Sequence, residues 1–167
     1  MKKRRLKAVL LTGLFVGTTD LVAAYISQWI KTGKYADKML NYIAGGGVGL
    51  ERSMNGGNGV QFLGLFFHYF IAFSFTLFFF LVFPRLKFLR YNKYMVGMLY
   101  GVFVSLTVGQ VILRFTALPV NAFSLSGSIV GWLVLGAVLG IPIAYNAYRY
   151  FGVDSSFPKS APLPGKS

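Results

Sequence analysis

The chain has 167 residues, one domain's worth, with 55% hydrophobic and only 13% charged residues, where a soluble domain carries about 25% charged. Its formal net charge is +13, but the basic residues cluster beside long apolar runs rather than on an aromatic-interleaved surface, so the charge points to lipid head groups and not to nucleic acid. It has no Cys and a single His, which excludes thiol chemistry, iron–sulfur clusters, Cys-based zinc sites and a haem held by two His of one chain.

Four stretches reach the roughly 20 apolar residues that a bilayer span needs: about 7–30, 60–83, 94–118 and 123–148. Each is too long for a core strand and none alternates with period two, so the expectation is an all-α membrane protein with four transmembrane helices in a compact bundle. A single domain over 1–153 is followed by a disordered cytoplasmic tail, 154–167, rich in Ser, Pro and Lys.

The first span opens after Lys2, Lys3, Arg4, Arg5 and Lys7 and closes at Lys31-Thr32-Gly33-Lys34. A basic start before an apolar run also opens secretory signals, and Val22-Ala23-Ala24 offers small residues for cleavage. The run is longer than a signal's apolar core and Asp20 interrupts it, so an uncleaved span is expected. Gly13, Gly17, Asp20, Ala24 and Ser27 share one face. Gly13 and Gly17 make a GxxxG pair, the pattern that lets membrane helices approach closely.

Residues 31–59 form the sizeable extramembrane loop. Tyr35, Met39, Leu40 and Ile43 recur at helical spacing, which predicts a short amphipathic helix over 34–44 lying on the outer surface of the membrane, ended by Gly45-Gly46-Gly47. The Gly-rich stretch after it reads as a loop or as a segment that dips back into the protein.

In the second span Gln61, Gly64, His68, Ala72 and Thr76 share a face, and Phe and Tyr crowd the rest. An unpaired amide or imidazole in hydrocarbon costs several kcal/mol, so the polar face points inward. The third span carries Gly97, Gly101, Ser105 and Gly109 at intervals of four, and the fourth carries Gly127 with Gly131 and Gly136 with Gly140. These glycines predict helix packing. Pro142 in the fourth span marks either a hinge or a fixed kink.

Orientation follows from charge. Twelve Lys and Arg lie before the first span, between the second and third (Arg85, Lys87, Arg90, Lys93) and after the fourth, against five elsewhere. Both termini are expected in the cytoplasm, with anionic lipids on that side.

Counting 1.5 Å per residue puts Asp20 about 15 Å deep, His68 and Gln110 about 12 Å and Arg114 about 6 Å. Asp20, His68, Gln110 and Arg114 are therefore the candidate buried polar cluster, with Asp20 facing His68 or Arg114 rather than lipid.

Several segments resemble an uncharacterised family of small bacterial four-span integral membrane proteins with no assigned biochemical function. They are Gly17-Thr18-Thr19-Asp20 with Ala23-Ala24, Asn41-Tyr42-Ile43-Ala44, the run from Gly64 to Ala72, Phe83-Pro84-Arg85-Leu86, Gly97 to Gly101, and Gly140-Ile141-Pro142-Ile143-Ala144. The resemblance covers most of the chain except the tail. It implies that Asp20 and His68 belong to the family's pattern, in the bacterial inner membrane, with the first span retained.

Three functions compete. The first is a non-enzymatic scaffold or accessory membrane subunit whose polar cluster fixes helix register, alone, as a homo-oligomer or in a larger membrane complex. The second is a small oligomeric transporter or proton-linked ion-translocating protein using Asp20, since an acid at membrane depth is a functional candidate by default. The third is an intramembrane enzyme with Asp20 and His68 as an acid–base pair. No catalytic residue, cofactor or metal site is assigned, because the chain offers no activated nucleophile, metal triad or phosphate loop.

Overall fold

The computed structural model of the chain describes residues 3–112 and 125–153, the side chains of 110–112 and 125–128 excepted. The tail expected over 154–167 lies outside the described residues, as does Arg114. The protein is helical throughout what is described. In chain order come α1 (Lys3–Thr32), α2 (Met39–Val48), α3 (Leu50–Met54), α4 (Asn58–Val82), a 3-10 turn (Lys87–Arg90), α5 (Lys93–Leu106), α6 (Leu125–Leu135) and α7 (Ile141–Phe151). A π-helical turn, Thr107–Ile112, extends α5, and another, Gly136–Gly140, joins α6 to α7. Among the described residues three helical stretches are long and apolar enough to cross a membrane: Lys3–Thr32, Asn58–Val82 and Ile129–Phe151. Lys93–Gly109 is a further, shorter apolar helix.

Local chemistry sets the ends. Helix α1 stops where Gly33 adopts φ 65° and its N–H returns to the Trp29 carbonyl at 2.8 Å, a left-handed cap that glycine makes at no steric cost. Pro84 lies two residues beyond α4 and cannot continue a helix. Asn92 caps α5, its side chain accepting from the N–H groups of Tyr94 and Met95 at 2.9 and 3.2 Å. Gly152 at φ 64° closes α7.

Helix α1 packs on α4, and α5 packs on α6 and α7. The start of α1 meets the ends of α4 and α7: the Arg5 guanidinium donates to the Phe80 carbonyl and lies 5.5 Å from the centre of the Phe151 ring. At the same end an aromatic core forms from Phe79, Phe80, Phe83 and Tyr148, all nearly or wholly buried. The Tyr148 hydroxyl donates to the Leu89 carbonyl at 2.8 Å and so fixes the 3-10 turn against α7.

The glycine stripes divide into two kinds. A Cβ at Gly140 would run into the Gly97 carbonyl and one at Gly101 into the Gly136 backbone, so α5 and the π turn before α7 touch backbone to backbone. At Gly13 and Gly17 the obstacles are the rings of Phe73 and Tyr69, which are side chains of α4. At Gly131 no described atom lies within 4 Å of a Cβ built there. The surroundings of Gly127 lie outside the description.

The helix expected over 34–44 differs most. Helix α2 begins at Met39, not Lys34, and runs through Gly45-Gly46-Gly47 to Val48. It packs along α4, with Asn41 and Ala44 buried. Tyr35 belongs to the preceding link and stacks on Tyr25 of α1, their rings 5.5 Å apart. The glycines do not stop α2 because they serve as its contact face: a Cβ at Gly47 would lie 2.6 Å from the Phe67 ring. In return Gly64 of α4 makes room for the Leu40 carbonyl. The break comes at Gly49, whose φ of 88° turns the chain into α3. The Asn41 amide closes the turn, donating to the carbonyls of Ser53 and Gly56 at 2.8 and 3.0 Å.

Candidate functional site

Between α1, α2, α4, α5 and the second π turn lies a cleft of about 600 Å³. That is within the roughly 300–1,000 Å³ of typical small-molecule sites. Its walls are mostly apolar, with Phe67, Phe70 and Phe75 from α4, Val104 from α5 and Leu139 from the π turn. Asp20 and His68 are the ionisable pair on these walls, joined by Tyr42 of α2 and Ser105 of α5.

The two ionisable groups arrive there for different reasons. His68 lies one turn beyond Gly64 on α4, the face that receives α2. Its Nε2 makes a 2.7 Å hydrogen bond with the Gly17 carbonyl of α1. A carbonyl only accepts, so Nε2 carries the proton, and Nδ1 is an acceptor in the neutral ring. Asp20 follows Gly17 by three residues, nearly a full turn of α1. The bond that anchors His68 thereby brings the imidazole beside the turn that carries Asp20. Asp20 lies on the cleft wall with His68. Gln110 extends from the first π turn, but its side chain lies outside the description, as does Arg114.

Neighbouring polar groups on α1 are tied up. The Thr18 hydroxyl reaches the Leu14 carbonyl at 2.9 Å and the Tyr69 hydroxyl at 2.8 Å. The Thr19 hydroxyl is within 3.0 Å of the Phe15 carbonyl and 3.4 Å of the Val138 carbonyl. Val138 is four residues before Pro142, which has no N–H to give it. Thr19 thus supplies a weak replacement donor across the bundle. Within α7 the Asn146 side chain donates to the Pro142 carbonyl at 2.9 Å.

Residue patterns did not reveal several of these interactions. Tyr100 is buried and its hydroxyl donates to the Phe75 carbonyl at 2.7 Å, joining α5 to α4 beside the cleft. The available signal was general: a tyrosine deep in an apolar helix needs an acceptor. A second groove, of about 300 Å³, lies on the other side of this bond between α4 and α5. Phe78, Phe88, Leu99 and Phe103 line it, and no ionisable carboxylate or imidazole does. Among the described residues no group of three His, Asp or Glu is placed to hold a metal ion.

No family model, curated protein or solved structure matches the chain.

Proposed function

We propose that this chain is a four-span protein of the bacterial inner membrane, with both termini in the cytoplasm and anionic lipids against its basic segments. In this reading it works as a non-enzymatic scaffold or accessory subunit. The observation that carries the reading is the use of its interior polar groups as cross-helix ties. His68, Tyr100, Tyr148 and Arg5 each donate to a backbone carbonyl of another element. Such a donor takes the second lone pair of a carbonyl and fixes the register of two elements, as a structural pin must. Helix Lys93–Gly109 supports the fourth crossing, because the start of α1 and the ends of α4 and α7 gather at one end. The charge asymmetry and the family resemblance support the orientation and the inner membrane.

One observation favours a second reading, a small oligomeric transporter. Asp20 borders a large cleft rather than a packed interface. A single set of measurements separates the two. Gly57 has open space around it and Arg90 is exposed, so Gly57→Cys and Arg90→Cys report topology in this Cys-free chain. Labelling of position 57 alone from outside intact cells is expected, and outside labelling of position 90 overturns the orientation. Proteoliposomes carrying the wild-type chain should show no proton flux beyond that of Asp20→Asn. A flux that Asp20→Asn abolishes would replace the scaffold with the transporter.

A further inference from the structure

We propose that the cleft beside Asp20 is a binding site for a lipophilic monovalent cation, a molecule with an apolar body and one delocalised or ammonium-type positive charge. This goes beyond a scaffold role, since the site would be occupied by a small molecule and not by another subunit.

Three observations lead there. The first is shape. A cleft of about 600 Å³ persists between elements that elsewhere approach to backbone contact. The second is the lining. Phe67, Phe70, Phe75, Val104 and Leu139 offer apolar walls for a body of matching chemistry, and the faces of aromatic rings attract cations within about 6 Å of their centres. The third is the sign of the polar wall. Asp20 contributes a carboxylate, and the anchored ring of His68 has its donor nitrogen engaged by Gly17 and its other nitrogen as an acceptor in the neutral form. Tyr42 and Ser105 add hydroxyls, which accept as well as donate. No Lys or Arg is among the described residues that line the cleft. An anion would meet the Asp20 carboxylate in a half-open, mostly apolar cleft, where like charges repel more strongly than in water. A cation meets complementary charge. Neutral lipid tails would fill the apolar part and leave the carboxylate unanswered.

The groove between α4 and α5 differs from this cleft. That groove offers aromatic and aliphatic walls without a carboxylate, and selects for apolarity without regard to charge.

The test uses two ions of the same shape and opposite charge, tetraphenylphosphonium and tetraphenylborate. Titration calorimetry on the full chain in a neutral detergent should show saturable binding of about one phosphonium per chain, with the borate at least tenfold weaker. Asp20→Asn should lower phosphonium affinity at least tenfold and narrow the gap between the two ions. Gly109→Leu provides an independent check. Gly109 lines the cleft, and no described atom lies within 4 Å of a Cβ built there. The leucine should obstruct the cleft and lower affinity with helix content unchanged. Equal affinity for the two ions overturns the proposal. So does wild-type phosphonium affinity in folded Asp20→Asn, the result expected if Arg114 neutralises the carboxylate. Should Asp20→Asn fail to fold, the comparison of the two ions and the Gly109→Leu variant still decide. Neither depends on the membrane topology.

Discussion

At the scale of single residues, the glycines differ in what they allow. Gly140 and Gly101 keep backbone against backbone, whereas Gly13 and Gly17 keep backbone against a ring. A ring can rotate out of the way, and a carbonyl cannot leave its helix without breaking the ladder. Gly140→Ala is therefore expected to cost more than Gly13→Ala, although both sequences read as the same small-residue pattern. Overpacking usually costs about 1–3 kcal/mol, and Gly140→Ala belongs at the top of that range. Gly59→Ala, with open space around it, is the neutral reference. Unfolding in mixed detergent micelles measures all three, and equal losses for Gly140→Ala and Gly59→Ala would contradict the backbone contact. Residue counting pointed to Asp20 and His68 as neighbours, and both line one cleft. What counting could not supply is the tie that seats His68, because the Gly17 carbonyl is present in any sequence and leaves no mark on it.

At the scale of elements, three long apolar helices were legible, as were the ends near Gly33 and Pro84. Length, apolarity and breakers such as Gly33 and Pro84 act locally, and local causes are visible in sequence. A helix after the first span was expected, but the extent of α2 and its packing on α4 were not legible, because its glycines have two meanings. Three in succession signal a stop when nothing packs on them, and a contact face when an aromatic helix does. Phe67 and Gly64, distant in sequence, decide between these. The π turns were equally hidden, since they follow from a shift of hydrogen-bond partners and not from composition. The α2–α3 hairpin depends on Asn41, which is buried and joins two carbonyls from outside α2. Asn41→Leu leaves both carbonyls without this donor at a cost of about 1–3 kcal/mol. Hydrogen exchange should then quicken across residues 39–56 while the middle of α4 stays protected. Unchanged protection of 39–56 would show that α4 packing alone holds the hairpin.

At the scale of the whole molecule, a helical bundle of membrane character was legible, while the cleft was not. A cavity is what remains after several elements have taken their places, so no single stretch of sequence encodes it. The two seams beside it also differ in stiffness. Along α5 and the turn before α7, backbone meets backbone at Gly97, Gly101 and Gly140. Along α1 and α4, the rings of Phe73 and Tyr69 fill the seam. Membranes of different thickness press on a bundle through hydrophobic mismatch, and helices answer by tilting. The glycine seam permits little relative tilt, so the compliance of this protein resides in the ring-filled seam, next to Asp20. Spin labels at Met95 and Tyr145, both exposed, should keep the same separation in thin and thick phosphatidylcholine nanodiscs. Labels at Leu14 and Phe70, exposed on α1 and α4, should change theirs. An equal change in both pairs would mean that the bundle yields uniformly. A change confined to the second pair makes bilayer thickness a setting for the width of the cleft.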